Sequence, residues 1–562
     1  TWNINSIRAR IDTFAKMVRK ARPDVILLQE TRCGDDVFPM PWNAHWYRAA
    51  PGEEKEHRRR NNVGPDHVWD PVFPHDNLFH WVWNRRYGGD LQGVVEKLDE
   101  LQALGVTAIY FNPIFEGESM HKYDATDFRH IDDNFGTPAE SGRVPQDFTP
   151  PASNTDDPMT WTWTAADRYF VDVLIPEAHK RGIRVVIDGV FNHTGRDFWA
   201  FEDVVANGTD SPYADWFFAE FDDDGALESW VAWDGPSGWL PKFMQKPNRD
   251  LVDPVKKHMF DITTRWMDPN GDGDPSDGID GWRLDVALDV GLPFWEDWRA
   301  HVKSINPDAI IIAEIWSEAD QYLQGQHFDT QMHYPFASAV VDWLAVQPGM
   351  SSDELGSRLQ DAFNESPQTN LIHQNLFASH DTDRYVSMLY NPNRGYDQGN
   401  RIQDGDDYKD TRPSRDIYDL SLLGVAIQAT YLGAPMIYYG DEYGMWGADD
   451  PTDRKPVPWP DTPRNLNPDD RADLRIRSAY REWFNLRHDP RIGPVLRYGD
   501  VQHVSTGDPG VFAFDRSLNG RAVRVIVNRN DRAYDATHLL PDGSRGKRMA
   551  PVSARWWVIS GD

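Results

Sequence analysis

The sequence predicts an α/β protein built on a (β/α)8 TIM barrel, with a loop domain inserted after the third strand and a C-terminal antiparallel β-sandwich. Three observations predict it. Strand-like and helix-like segments alternate from about residue 88 to 440, the pattern of a parallel sheet with crossover helices. Several of the strand-like runs end in Asp, Glu or His, and in a closed barrel such ends converge on one rim. Past residue 490 the pattern shortens to alternating runs such as "RAVRVIVN" and "RWWVIS", which suits a small all-β domain.

Residues 1–39 read as strand, helix, strand, and Met40 to about Asp76 as an irregular, charged stretch in which "EEKEHRRRNN" (53–62) is a solvated loop. In "GGDLQGVVEKLDELQALG" (88–105) the residues Leu91, Val94, Val95, Leu98 and Leu101 recur at helical spacing, and Gly105 closes the helix. "VTAIYF" (106–111) is a buried strand, "AADRYFVDVLIPEAHKRG" (165–182) a helix and "IRVVID" (183–188) the next strand. Further strands are expected at "IDGWRLD" (279–285), "AIIIAE" (309–314), "FDTQMH" (328–333), "NLFASHD" (375–381) and "PMIYYG" (435–440). These runs supply seven strands, so the eighth should lie before residue 88. The candidates are "DVILLQE" (24–30), the preferred one, and "LFHWVW" (78–83). The expected division is a front segment over 1–39, a barrel over 40–490 with an insertion at about 194–252, and a β-domain over 491–562.

The formal net charge is −31, a field that repels nucleic acid and anionic membrane. No stretch has the length of a membrane span. Nothing at the N-terminus has the basic-then-apolar pattern of a secretory leader, and the expectation is a cytoplasmic protein. The single cysteine, Cys33, excludes an internal disulfide framework. The 24 Trp and 20 Tyr suit stacking on flat faces such as sugar rings, although most will be core.

The chemistry sits at the strand ends. "VVIDGVFNH" brings Asp188 and His193, "GIDGWRLDVA" brings Asp285, "IIIAEIW" brings Glu314, and "NLFASHDTDR" brings His380 and Asp381. A lone strand-end carboxylate is usually a cap or an ion-pair partner; a rim of them is not. Glycoside hydrolysis needs two carboxylates in different protonation states. Arg283, two residues before Asp285, leaves the same strand face. Its guanidinium is expected to lower the Asp285 pKa, favouring Asp285 as nucleophile. The apolar flanks of Glu314 are expected to raise its pKa, as a general acid requires.

These motifs resemble the alpha-amylase superfamily of retaining glycoside hydrolases, in "DGVFNH" (188–193), "GWRLDVALD" (281–289), "AEIW" (313–316) and "ASHDTDR" (378–384). More specifically they are similar to its cyclomaltodextrinase, neopullulanase and maltogenic amylase branch, through "LPKF" (240–243), "NPIFEGESMHKYDATDF" (112–128), "FWEDWRAHVKSINPDAIIIAEIW" (294–316) and "YYGDEYGMWGADDPTDRKP" (438–456). The resemblance covers roughly residues 41–562. It implies Asp285 as nucleophile, Glu314 as general acid and then base, and Asp381 as stabiliser of the oxocarbenium-like transition state. It further implies that His193 and His380 hydrogen-bond the sugar and that Tyr123 stacks on it beside His121. Asp450 and Arg454 match a pair on the non-reducing side, and Trp316 would stack on the leaving-group side. The implied substrates are maltooligosaccharides, cyclodextrins or pullulan. A transglycosylase and an inactive carbohydrate-binding chimera are the alternatives. The branch often dimerises through an N-terminal domain that does not occur in this sequence, so the resemblance carries no dimer over. The chemistry needs no cofactor.

Two further stretches stand apart. "DPNGDGDPSD" (268–277) follows the start of a calcium loop, with Asp268, Asn270, Asp272 and Asp274 as candidate ligands. The closing Glu is missing; Ile279 occupies its place, with Asp277 or Asp280 as substitutes. A plain acidic turn is the competing reading. Second, "TWNINSIRAR…ARPDVILLQETRC" resembles the start of an exonuclease III-type nuclease, with Asn5 and Glu30 at the positions of metal-site residues. That match ends at about residue 38, and the later elements of such a site are missing. A metal-dependent nuclease is therefore the least favoured reading.

Overall fold

The computed structural model describes residues 89–119, 121–136, 155–346, 349–401, 407–450, 452–455, 457–461 and 471–560. The nuclease-like front segment with Asn5 and Glu30, and both candidates for the eighth strand, lie outside the described residues.

Helix α1 (Leu91–Leu104) starts where the Asp90 side chain accepts from the Gly93 N–H and ends at Gly105, whose φ of 100° is left-handed. Its buried stripe contains Leu91, Val94, Leu98, Leu101 and Leu104. The chain then enters β1 (Ala108–Phe111). An antiparallel pair follows, β2 (Phe115–Gly117) and β3 (Ala125–Ile131), and the loop between them carries His121 and Tyr123. The helix expected at 165–182 is present in two parts, α2 (Ala165–Tyr169) and α3 (Ile175–Lys180), joined by a π-helical turn over Phe170–Leu174. Pro176 has no N–H to offer and its ring crowds the preceding turn. The wider turn before it absorbs that misfit.

The central sheet is parallel. β1 pairs with β4 (Arg184–Gly189). Beyond β4, in the order β4–β7–β8–β9, lie β7 (Gly281–Leu284), β8 (Ile310–Ala313) and β9 (Thr330–Gln331). A parallel bridge from Met332 to Gln374 carries the arc on to β10 (Gln374–Asn375), which pairs with β11 (Ala434–Pro435). The seven strands thus lie side by side in chain order; β4 keeps the length of its apolar run, whereas β10 and β11 meet the expected runs 375–381 and 435–440 only at Asn375 and Pro435. Crossover helices include α5 (Asp253–Met267), α6 (Leu292–Ile305), α7 (Tyr334–Val341) and α8 (Arg415–Thr430). Gly281 is needed for the pairing, since a Cβ there would come within 2.3 Å of the Ile310 carbonyl oxygen. Behind the sheet, Phe191, Trp282, Trp295 and Trp298 interlock in tilted and edge-on contacts.

Between β4 and β7 the chain makes its excursion, with helix α4 (Trp199–Asn207) and the antiparallel pair β5 (Ala219–Phe221) and β6 (Leu227–Trp230). Bridges from His193 to Lys242 and from Phe217 to Phe243 bring the "LPKF" segment back to the end of β4. Past α9 (Leu474–Asn485) and α10 (Gly493–Tyr498) comes an antiparallel sheet in the order β12–β13–β14–β17 (Asp500–His503, Val511–Leu518, Arg521–Asn528, Ser553–Ser560). A two-stranded ribbon of β15 (Tyr534–Asp535) and β16 (Arg548–Met549) closes a small core of Val511, Ala513, Ile526, Leu539 and Met549. The second layer of the expected sandwich is therefore only this ribbon, and the opposite face of the sheet lies against the barrel helices. Among the described residues, no helix is long and apolar enough to cross a membrane.

Candidate active site

Strand register assembles the site. Asp188 on β4 is the direct neighbour of Arg283 on β7. One residue past β7, the Asp285 N–H donates to the Gly189 carbonyl (3.2 Å), and one past β8 the Glu314 N–H donates to the Leu284 carbonyl (3.0 Å). Three carboxylates therefore leave adjacent strands at nearly one level, at the C-terminal ends of a parallel sheet.

Arg283 is fully buried beneath them. Its Nη1 lies 2.9 Å from Asp188 Oδ2 and 3.0 Å from Asp285 Oδ1, and its Nη2 lies 3.0 Å from Glu314 Oε2. One guanidinium thus orients three carboxylates, which its planar fork of donors suits. From the sequence, Arg283 is expected to hold the Asp285 pKa down. The structure gives the opposite net direction. Burial, then the facing Glu314 carboxylate, push Asp285 well above the usual carboxylate range, and the pull of Arg283 is smaller. Three carboxyls around one cation in a dry cleft compete for protons, so titration belongs to the set and not to any one acid alone.

Val286, directly after Asp285, has a φ of +38°, a costly conformation for a β-branched residue. That twist aims its N–H at Glu314 Oε2 (2.8 Å). Trp316 Nε1 donates to the other oxygen, Oε1 (3.2 Å). Backbone strain here holds Glu314 in place.

The other wall carries Asp381. His380 Nε2 lies 2.9 Å from Asp381 Oδ2 and 2.6 Å from the Tyr123 hydroxyl oxygen. Arg454 Nη2 lies 3.6 Å from Asp381 Oδ1 and 3.4 Å from Asp450 Oδ2, and donates to the His380 carbonyl (2.6 Å). Burial alone would raise the Asp381 pKa, but His380 and Arg454 overcome it and hold the carboxyl well below the usual range. Asp381 therefore remains an anion throughout the neutral and mildly acid range.

Tyr123 closes the floor. Its ring stacks on His380 at 5.5 Å and on His121 at 5.9 Å, and its hydroxyl donates to Asp188 Oδ2 (3.0 Å). Lys122 anchors this loop. It has a φ of +60°, it is buried, and its ammonium lies 2.5 Å from Asp132 Oδ2. Glu116 lies in the same pocket, its pKa pushed well up by burial, then by Asp132 and Asp133. Lys122→Met would break the buried Lys122–Asp132 ion pair, at a cost of about 3–5 kcal/mol. A folded pKa above the unfolded one means stability lost as pH rises. The fall in Tm of Lys122→Met should therefore be larger at pH 8 than at pH 5, and equal falls at both would contradict this account.

His193 is buried and neutral. Burial, then Lys242 and His121, push its pKa down to about 3. Its Nε2 has no hydrogen-bond partner among the described residues. It is thus a ready neutral partner for a ligand hydroxyl.

All the sequence-named groups on the rim come together. Four contributors were not expected. Tyr110 donates to Asp188 Oδ2 (2.9 Å) and Asn112 to the Tyr123 hydroxyl (3.2 Å). The spacing of Tyr110 on β1 and Asn112 one residue past its end was a usable signal, because extended residues two apart leave the same face. Tyr334 backs Trp316 with parallel rings 3.8 Å apart, and Trp233 covers His193 at 5.8 Å. Nothing local in the sequence marks those two. Trp316 is 40% exposed and Trp233 50%, so each keeps apolar surface open to solvent.

The candidate calcium loop lies elsewhere, before β7 and hence at the opposite end of the sheet from the carboxylates. Its side chains fold back on their own backbone. Asp268 accepts from Gly273 N–H, Asn270 from Asp272 N–H, Asp272 from Asp274 N–H and Asp274 from Ser276 N–H. Of the suggested substitutes, Asp280 is taken by His179 (2.7 Å) and the Val185 N–H (2.7 Å). Among the described residues, no group of three or more His, Cys, Asp or Glu is gathered so as to hold a metal ion.

Comparison with known proteins decides the family. The alpha amylase catalytic domain pattern matches residues 54–146 and 167–486. The chain belongs to the alpha-amylase family. Membership implies the closed (β/α)8 barrel, of which the seven strands seen are the described part. The chain is 34% identical over 465 residues to neopullulanase 2 of Thermoactinomyces vulgaris, an alignment covering 82% of this chain and 66% of that one. It is 32% identical to a cyclomaltodextrinase of Geobacillus thermopakistaniensis, over 82% of this chain and 65% of that one. It thus spans slightly under two-thirds of these relatives' length. Among solved structures, the ligand-free cyclic alpha-maltosyl-(1→6)-maltose hydrolase of Arthrobacter globiformis superposes with a TM-score of 0.65 at 28% identity, over 89% of this chain and 95% of that one. The family match begins after the nuclease-like front segment.

Proposed function

We propose that this alpha-amylase family member is a retaining glycoside hydrolase that cleaves α-1,4 bonds of maltooligosaccharides, cyclodextrins or related α-glucans. The observation that carries the reading is the single buried Arg283 holding Asp188, Asp285 and Glu314 together, opposite an Asp381 kept ionised by His380 and Arg454. Asp285 attacks the anomeric carbon while Glu314 gives its proton to the glycosidic oxygen, so the C–O bond breaks and the leaving chain departs neutral. Glu314, now a carboxylate, takes a proton from water. The resulting hydroxide equivalent displaces Asp285, and Glu314 is protonated again. Asp381 and the neutral His193 meet the sugar hydroxyls as positive charge builds on the ring.

Incubation with maltoheptaose, β-cyclodextrin and pullulan, followed by proton NMR of the first products, tests this. Shorter glucans released as α-anomers are expected. No release, or β-anomers, would overturn it. Transfer to a second sugar is the near alternative, and longer products at high maltose would favour it. No cofactor takes part in the chemistry as read here. A structural calcium at Asp268, Asn270, Asp272 and Asp274 is a separate reading that rests on loop spacing. A Tm that is the same with calcium and with chelator would dismiss it.

A further inference from the structure

The excursion after β4 places a second aromatic surface beside the mouth. Trp233 and Trp239 flank a tight turn, in which the Trp233 N–H donates to the Leu240 carbonyl (2.8 Å). The Asp234 carboxylate fixes the far side by accepting from the N–H groups of Trp239 (2.7 Å) and Leu240 (3.0 Å). Trp233 covers His193, but Trp239 does not reach the carboxylates. Its ring lies 5.0 Å from the guanidinium of Arg196, which also lies 5.0 Å from Trp230. Even so, Trp239 is 63% exposed. Arg196 is exposed too, and among the described residues no carboxylate lies within ion-pair distance of it.

Two features tie this surface to the cleft. Arg196 follows His193 by three residues. Its neighbour Gly195 is pressed against the Tyr123 loop so closely that a Cβ would come within 2.4 Å of the Asp124 carbonyl oxygen. Arg196 is thus held between the loop that carries Tyr123 and the turn that carries Trp233. A flat indole face suits the apolar face of a pyranose, and an uncommitted guanidinium fork can donate to neighbouring hydroxyls. Both groups are fixed in advance by stacking and by the Asp234 turn, which lowers the ordering cost of binding.

We propose that Trp239 and Arg196 form an outlying subsite for one glucose unit of an α-1,4-glucan chain, beyond the unit that Trp233 meets. The inference rests on the glucan reading of the cleft and adds a preference for longer chains. Because both side chains lie at the surface, Trp239→Ala and Arg196→Ala leave the fold intact, which thermal melts verify. Each variant should raise KM for maltoheptaose relative to maltotriose by about threefold or more, the worth of one lost stacking contact. Calorimetric titration of maltoheptaose into Asp285→Asn, with and without Trp239→Ala, should show the same loss of affinity. Less than a threefold change in both measurements overturns the subsite. If the unmutated protein turns over no glucan, the reading of the cleft fails on its own. The titration then still decides whether Trp239 binds one.

Discussion

Asp285→Asn should lower kcat on maltoheptaose by about ten-thousandfold or more, the scale seen when a covalent nucleophile is removed. An amide cannot form the ester to the anomeric carbon. No change of leaving group should restore the rate, because the missing step is the attack itself. The same substitution should raise Tm at pH 7. Asp285 is buried with a pKa above the unfolded value, and Asp188 and Glu314 share the guanidinium of Arg283 with it. A raised folded pKa gives a contribution that is complete below the unfolded value, about 4, and is lost as pH rises through the folded one. The gain in Tm from Asp285→Asn should therefore shrink as pH falls toward 4. A variant that is less stable than the parent at pH 7 would contradict this account of the charge set.

Glu314→Gln should cost about a hundred- to ten-thousandfold on natural glucans, the usual worth of a general acid. Unlike Asp285→Asn, it should recover much of its first-step rate on α-maltosyl fluoride, because fluoride departs without a proton. No rescue by the fluoride would remove Glu314 from the role of acid.

These expectations show what the sequence carried and where it stopped. The positions of Asp188, Asp285, Glu314 and Asp381 were legible because strand-end polarity and β-period are local properties. That one guanidinium would meet three carboxylates was not legible, because it depends on register, which pairs Asp188 with Arg283 and sets Glu314 level with Asp285. The direction of the Asp285 shift was not legible for the same reason. Arg283 is a neighbour in sequence, whereas burial and Glu314 act only through the folded sheet. The long helix at 165–182 was legible from its apolar spacing, but the π-turn was not, although Pro176 marks the place. Trp233 and Tyr334 had no local signal, because they meet His193 and Trp316 only through ring contacts made across the mouth.

The most direct test of the central claim is to identify the residue that carries the sugar. Glu314→Gln would be quenched in acid during turnover of α-maltosyl fluoride, digested, and its peptides weighed by mass spectrometry. The account predicts one maltosyl unit on the peptide containing Asp285, and α-anomeric product from the unmutated enzyme. An adduct confined to the peptide containing Asp381, or no adduct together with β-anomeric product, would contradict it.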